Sequence, residues 1–312
     1  GLVACDEGPK TYTIKLIVDE DVVLENTNFK VTEGKEYELP TPSRVGYTFN
    51  GWYDEEENKI DMQGVWTYGN IKLIASFDAK QYNLNVAVDG GTLEDGSSYP
   101  SIIPVTFGST YSLPQPVRKG YTFSGWKKGT SDFSATGTWQ TDSNTVSITA
   151  QWSANTYKVK FETELTDAVI KTPELDFVYD SKDNKFADVE YDNEKYRLKG
   201  WKIKGTDTIL QIMPKWKYDE EITLVAQFEE IIYTVSFDNM QGEQLPLKGS
   251  KGTVVKLPTP TKTGYTLTGF KNGEDIVPLG DYTITGNVTL VGVWAPKTFN
   301  ITLDAGDKGT VA

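Results

Sequence analysis

The side chains able to do chemistry in this chain of 312 residues are one cysteine, 44 carboxylates and eight tryptophans, with no histidine at all. Without imidazole the commonest general base and the commonest metal ligand are both missing. Ser-His-Asp and Cys-His catalysis are therefore excluded, and so are most zinc sites. A lone Cys5 cannot form an internal disulfide. What remains is carboxylate chemistry, as acid pairs for glycoside hydrolysis or as a calcium site, and the stacking of sugars on tryptophan. Neither acidic run, Asp54-Glu55-Glu56-Glu57 nor Asp219-Glu220-Glu221, has the alternating ligands around a central glycine that a calcium loop needs. Both read as solvated loops. Paired acids would need a concave pocket, which small units offer only at their junctions. No catalytic residue, cofactor or metal is expected.

The formal charge of −13 is spread along the chain, and no Lys/Arg cluster offsets it locally. A polyanion is repelled by such a surface, so nucleic acid is not an expected partner. No apolar run reaches 18 residues, the length that would mark a membrane-crossing helix.

The tryptophans lead to the organisation of the chain. Gly46-Tyr47-Thr48-Phe49-Asn50-Gly51-Trp52 returns as Gly120-Tyr121-Thr122-Phe123-Ser124-Gly125-Trp126. It returns again as Tyr196-Arg197-Leu198-Lys199-Gly200-Trp201 and as Gly264-Tyr265-Thr266-Leu267-Thr268-Gly269-Phe270. The final aromatics fall 74, 75 and 69 residues apart, a fixed period that marks a repeat array. Upstream stands a Leu-Pro-x-Pro element: Leu39 to Pro42, Leu113 to Pro116, and Leu257 to Pro260. Paired prolines remove two backbone donors, so this element must leave the sheet. The third unit reads Ala187-Asp188-Val189-Glu190 instead and lacks the glycine before Tyr196. Its fold is the least secure.

Each unit opens and closes on a period-two strand. Tyr12, Ile14, Leu16, Val18 open the first, and Ile71, Leu73, Ala75, Phe77 close it. Such alternation sets one face on a core and the other in water. First and last strands with matched patterns are expected in one sheet. No segment carries a helical stripe of more than two turns, although Asp54 to Gln63 has room for one turn. The tryptophans sort by position: Trp52, Trp126 and Trp201 with Phe270; Trp66, Trp139 and Trp216 with Tyr282; Trp152 and Trp294 with Phe77 and Phe228. Equivalent rings in successive repeats solve the same packing problem, and all eight are expected in cores.

The fold expected is mainly β, built of small sheet modules in tandem. The bounds are a segment 1–10, repeats at 11–79, 80–154, 155–230 (degenerate) and 231–296, and the start of a fifth at 297–312. Four-residue junctions without Gly/Ser runs restrict motion. Modules of this size have a diameter of roughly 28 Å, so four end to end would form a rod of roughly 110 Å.

The Leu-Pro-x-Pro element, the Gly-Tyr-Thr-Phe-x-Gly-Trp motif and the closing Leu-x-Ala-x-aromatic strand resemble the Listeria–Bacteroides repeat family, the B-repeats of internalin-type bacterial surface proteins. The resemblance spans about 11–296. It implies β-grasp-type α+β modules, extracellular display at the bacterial cell surface, no catalysis and at most a modest partner-binding role; the chain is expected to be a monomer. The structural motif residues are Tyr47, Gly51, Trp52, Tyr121, Gly125, Trp126, Tyr196, Gly200, Trp201, Tyr265, Gly269 and Phe270. Two roles fit: a stalk that holds another domain away from the surface, or an adhesin-type module that itself binds an extracellular protein or glycan. Asn50, Ser124, Lys199 and Thr268 share one slot yet differ in kind, which favours the stalk. Leu2-Val3-Ala4-Cys5 matches a lipobox, which would make Cys5 a lipidation site and the sole tie to a membrane. The same residues also read as the closing strand of a preceding repeat in a longer array, although Asp6 stands where other repeats carry an aromatic.

Overall fold

Alternating β-branched and aromatic residues are realised as strands throughout. The computed structural model describes residues 7–306 and 309, so Cys5 lies outside the described residues. Four similar five-stranded sheets follow one another along the chain, with no α-helix among the described residues. The chain divides into two compact units, Gly1–Asn155 and Thr156–Ala312, with two sheets in each.

The opening strands are Thr11–Ile17, Gln81–Ala87, Thr156–Thr163 and Ile232–Asp238. The closing strands are Ile71–Ala79, Ser147–Ala154, Ile222–Glu230 and Val288–Pro296. In every repeat these two lie side by side and parallel at the sheet centre. A parallel pair needs a long crossover between its members, and here the rest of the repeat supplies it. Outside the opening strand an edge strand pairs antiparallel, as Asn28–Thr32 does in the first repeat. Outside the closing strand runs the motif strand, also antiparallel: Tyr47–Tyr53, Tyr121–Lys128, Tyr196–Ile203 and Tyr265–Asn272. A short hairpin strand completes the far edge. Small two-stranded ribbons accompany the sheets, such as Glu36–Glu38 with Gln63–Val65. The Leu-Pro-x-Pro prolines stand outside the strands, while Leu39, Leu113 and Leu257 are buried.

The alternation is read out in burial. Leu73, Leu224 and Leu290 are fully buried on the closing strands, and Ile14, Leu84, Val159 and Val235 on the opening ones. Each repeat has its own core cluster. Six tryptophans, Trp52, Trp66, Trp126, Trp139, Trp201 and Trp216, are buried in these clusters. Removing one such ring from water is worth about 4–6 kcal/mol gross at ~25 cal/mol/Å².

Three sequence expectations need correction. Trp152 and Trp294, on the central closing strands, are half-buried and pack against their core clusters without being enclosed; their indole N–H groups donate to Val88 O (3.0 Å) and Asn239 O (2.8 Å). The fourth-repeat counterpart of Trp66 is Ile284, not Tyr282. Trp66 and Ile284 exchange the same backbone hydrogen bonds with the facing turn, through Gly34 and Lys35 and through Gly252 and Thr253. Tyr282 lies two residues earlier, in the ribbon opposite Val255. Finally, Asp54 to Gln63 holds no helical turn. Asp54 Oδ1 accepts from the amides of Glu56 (2.9 Å) and Asn58 (2.8 Å), which closes a tight loop into the strand Lys59–Ile60.

The degenerate third repeat keeps the strand order of the others. Where the proline pair is absent, Phe186 stacks on Trp201 at 6.1 Å and Ala187 is buried beside it. The absent turn glycine is replaced by capping: Asp192 accepts from the amides of Glu194, Lys195 and Tyr196.

Candidate functional site at the repeat junctions

The motif residues have three separate duties. The glycines Gly51, Gly125, Gly200 and Gly269 sit at a β-bulge, where the register with the closing strand slips by one. An extra residue there bends the strand and increases its twist. At Gly51 (φ 140°) an added Cβ would lie 2.6 Å from Lys59 Cε, and at Gly200 (φ 142°) 2.6 Å from Leu210 O. Glycine thus lets the hairpin strand cross close to the motif strand. The skipped residues are Asn50, Ser124, Lys199 and Thr268, all exposed; three of them reach the closing strand by different chemistry, Ser124 to the Ser153 hydroxyl (2.9 Å), Lys199 to Glu229 (3.3 Å) and Thr268 to Val293 O (3.1 Å). The aromatics that follow, Trp52, Trp126, Trp201 and Phe270, fill the cores.

The tyrosines begin the motif strand at a turn whose first residue is cationic. Arg44 lies over Tyr47 at 4.3 Å, Arg118 over Tyr121 at 3.9 Å and Lys262 over Tyr265 at 4.6 Å. In the third repeat Lys195 takes this part over Tyr196 at 5.3 Å. A cation three residues before the motif tyrosine was legible as a pattern, but no sequence rule singled it out. The turn also ties down the chain leaving the repeat. Lys80 N donates to Gly46 O (2.9 Å), Asn155 N to Gly120 O (3.0 Å), Ile231 N to Lys195 O (2.9 Å) and Lys297 N to Gly264 O (2.8 Å). Every linker is pinned at one atom.

The structure gathers the motif residues once per repeat and does not bring those of different repeats into one site. What it does bring together is the turn of one repeat and the next repeat's face. Between the first and second, Phe107 packs edge-on against Tyr47 at 5.5 Å. Its ring lies on the backbone of Gly46 (φ 81°), where a Cβ would fall 2.2 Å from Phe107 Cγ. Asp142 of the second repeat accepts from Gly46 N (3.3 Å), Lys80 Nζ (3.4 Å) and the Tyr82 hydroxyl. The Tyr82 bond is the main influence holding the Asp142 carboxyl below its ordinary value, with Gly46 and Lys80 adding. Burial, aided by that carboxylate, pushes Tyr82 up to about 12. Of these bonds the one from Gly46 N crosses the seam, while those from Lys80 and Tyr82 lie within the second repeat and hold the Asp142 carboxylate in place for it.

Between the third and fourth repeats the same places carry other chemistry. Lys251 stands where Phe107 stands in the second repeat, one residue before the turn glycine (Gly252, Gly108) that bonds the buried position. It reaches Asp192 Oδ2 at 3.2 Å and Glu194 Oε2 at 2.5 Å. Glu194, and Asp192 most through its own backbone bonds, are drawn into the turn that replaces glycine. Here the opening-strand tyrosine itself crosses the seam: Tyr233 OH donates to Glu194 O at 2.6 Å. Sequence reasoning missed Phe107, Asp142, Asp192, Glu194 and Lys251, because these positions differ between repeats and self-comparison finds only what recurs.

Known proteins carry the same modules. The model of the Listeria-Bacteroides repeat domain matches residues 12–76, 82–151 and 233–293; the degenerate third repeat lies between the matched segments. A protein described as a putative Gly-rich membrane protein of Evansella cellulosilytica is 25% identical over 292 residues, 86% of this chain and 33% of its own length. A second protein of that organism, described as a putative membrane protein, is 28% identical over 295 residues, 88% of this chain and 42% of its own. Internalin H of Listeria monocytogenes is 29% identical over 116 residues, 34% of this chain and 19% of its own. The chain thus spans well under half the length of the curated relatives it matches. With the family's model matched across most of its length, and with one motif, one bulge and one pinned turn in each of four sheets, this chain belongs to the Listeria–Bacteroides repeat family.

Proposed function

We propose that this array is a non-catalytic, monomeric spacer displayed outside a bacterial cell, which holds other parts of its parent protein at a set distance from the surface. The observation that carries the reading is the pinned linker: at each repeat the departing chain donates one amide to the carbonyl before the motif tyrosine. A spacer needs the exit of every module fixed and its exposed side chains unconstrained. The exposed bulge slot, filled by residues as different as Asn50, Ser124, Lys199 and Thr268, supports the second condition. Relatives described as membrane proteins and an internalin support the location. Cys5 is the candidate point of attachment to the membrane; mass spectrometry of membrane-extracted protein should find it lipid-modified, and an unmodified Cys5 within a longer chain would remove it from this role.

The test is to vary repeat number within the parent protein. Deleting the second repeat should shorten the reach of a distal epitope, measured by antibody access past the surface layer. Replacing it with a copy of the first should restore that reach. Saturable sub-micromolar capture of a surface protein by residues 11–296, lost on exchanging exposed residues, would overturn the pure spacer.

A further inference from the structure

The first two repeats solve one packing problem differently. In the second, the segment 88–101 carries Tyr99, which is 8% exposed, lies 5.6 Å from the Trp126 ring and donates to Pro114 O at 2.7 Å. Backbone bonds fix how this segment aligns with the first repeat: Val86 N donates to Ser101 O as Leu16 N donates to Thr27 O. Two residues before those acceptors stand Tyr99 and Glu25. Glu25 is exposed, so the first repeat supplies no ring of its own. It has instead an open groove of about 630 Å³, floored by Leu24, Phe29, Leu39 and Pro40, with Glu25 and Glu38 on the rim. That volume is within the range of small-ligand sites. In the third repeat the aligned residue is Lys171, which is ion-paired to Glu190 at 2.6 Å.

We propose that this groove docks a tyrosine side chain presented by a partner protein, on a segment with Lys or Arg flanking it. The second repeat shows the occupant: a phenol ring over the core whose hydroxyl meets the first proline carbonyl. Pro40 O accepts from Trp52 Nε1 at 2.9 Å and keeps a second lone pair for the incoming hydroxyl. The two rim carboxylates select cations beside the ring, and the net charge of −13 favours approach of a basic segment. Aromatic anchors in pockets are the usual centre of binding energy at interfaces. This docking role is independent of the spacing role.

The experiment uses the full chain, ¹⁵N-labelled, and four probes: p-cresol, the blocked tripeptide Lys-Tyr-Lys, Lys-Ala-Lys, and chitotriose. The tyrosine peptide should shift the Leu24, Glu25, Phe29 and Leu39 amides saturably at millimolar concentration, and the alanine peptide should not. Glu25→Tyr supplies the ring from within and should abolish the response. Glu25→Gln leaves the groove intact and should weaken the tyrosine peptide severalfold while sparing p-cresol. Absence of saturable shifts at these amides would overturn the proposal. So would an equal response to the alanine peptide, unchanged binding by Glu25→Tyr, or saturation of the same amides by chitotriose in preference to the peptide.

Discussion

Phe107 and Lys251 occupy the same turn position in the second and fourth repeats, one carrying a ring and the other a charge. Phe107 lies on Gly46, and Lys251 bonds Asp192 and Glu194. One backbone therefore presents an apolar contact at one seam and an ionic one at the other. Salt screens exposed charges, with a Debye length of about 3 Å at 1 M. Raising salt from about 0.05 to about 1 M, roughly twentyfold in ionic strength, should speed amide exchange at Glu194 to Tyr196 and leave Gly46 to Thr48 nearly unchanged. Lys251→Met should remove that salt dependence. Exchange measured by mass spectrometry on both peptides decides it.

Gly46 and Gly264 form a matched pair for testing the Phe107 contact. Both have positive φ, 81° and 77°, but only Gly46 has a neighbour where a Cβ would stand. Gly264→Ala should cost about 1–2 kcal/mol for the left-handed backbone alone. Gly46→Ala carries the same cost and must also displace the Phe107 ring, so its loss should be clearly greater. Denaturant unfolding of both variants, followed per repeat by NMR, gives the comparison.

Tyr82 and Asp142 make the first seam dependent on pH at both extremes. Asp142 is held below its ordinary 3.8, so its contribution is full above that value and is lost as pH falls through the lowered one. Tyr82 is raised from 10.0 to about 12, so its contribution is full below 10 and is lost as pH climbs from 10 towards 12. The seam should be strongest between those limits. The Gly46 amide shift should titrate at both ends in the native chain, and Asp142→Asn should abolish the acid-side transition.

Trp126 tests the independence of the cores. Trp126→Ala should cost ~3–5 kcal/mol and unfold the second repeat, while dispersed resonances of the fourth persist. Tyr99→Phe should cost less than ~1 kcal/mol, because the Trp126 indole N–H has no partner among the described residues and Pro114 O would become available to it. A downfield shift of that indole proton in Tyr99→Phe would report the exchange.

What self-comparison could read was whatever every repeat must do. The Gly-aromatic step, the Leu-Pro-x-Pro element and the paired end strands recur, and the sheets follow them. A two-residue offset placed Tyr282 opposite Trp66, because an aromatic is easier to match than Ile284, whose equivalence lies in backbone bonds. At Asp54 the acidic run is an exposed loop, as its composition implies, and the side-chain cap closes it as a tight non-helical turn where the sequence leaves room for a helical one. The seams were invisible for a physical reason. Asp142, nearly a hundred residues from Gly46, meets it only after both sheets have formed. Lys251 meets Asp192 and Glu194 in the same way.

The order of modules is consequently written into the molecule. Cores are interchangeable in kind, each closing on its own aromatics, but the two described seams are keyed differently, ring to glycine in one and ammonium to carboxylates in the other. Exchanging the second and fourth modules would set Lys251 over Gly46 and Phe107 beside Asp192 and Glu194. Each module would still fold and its linker would still be pinned, yet each seam would lose its side-chain contact. A recombined array would therefore keep its pinned linkers, and so its reach, while losing the side-chain contact wherever the new neighbour lacks the matching residue; the array carries a grammar as well as a vocabulary.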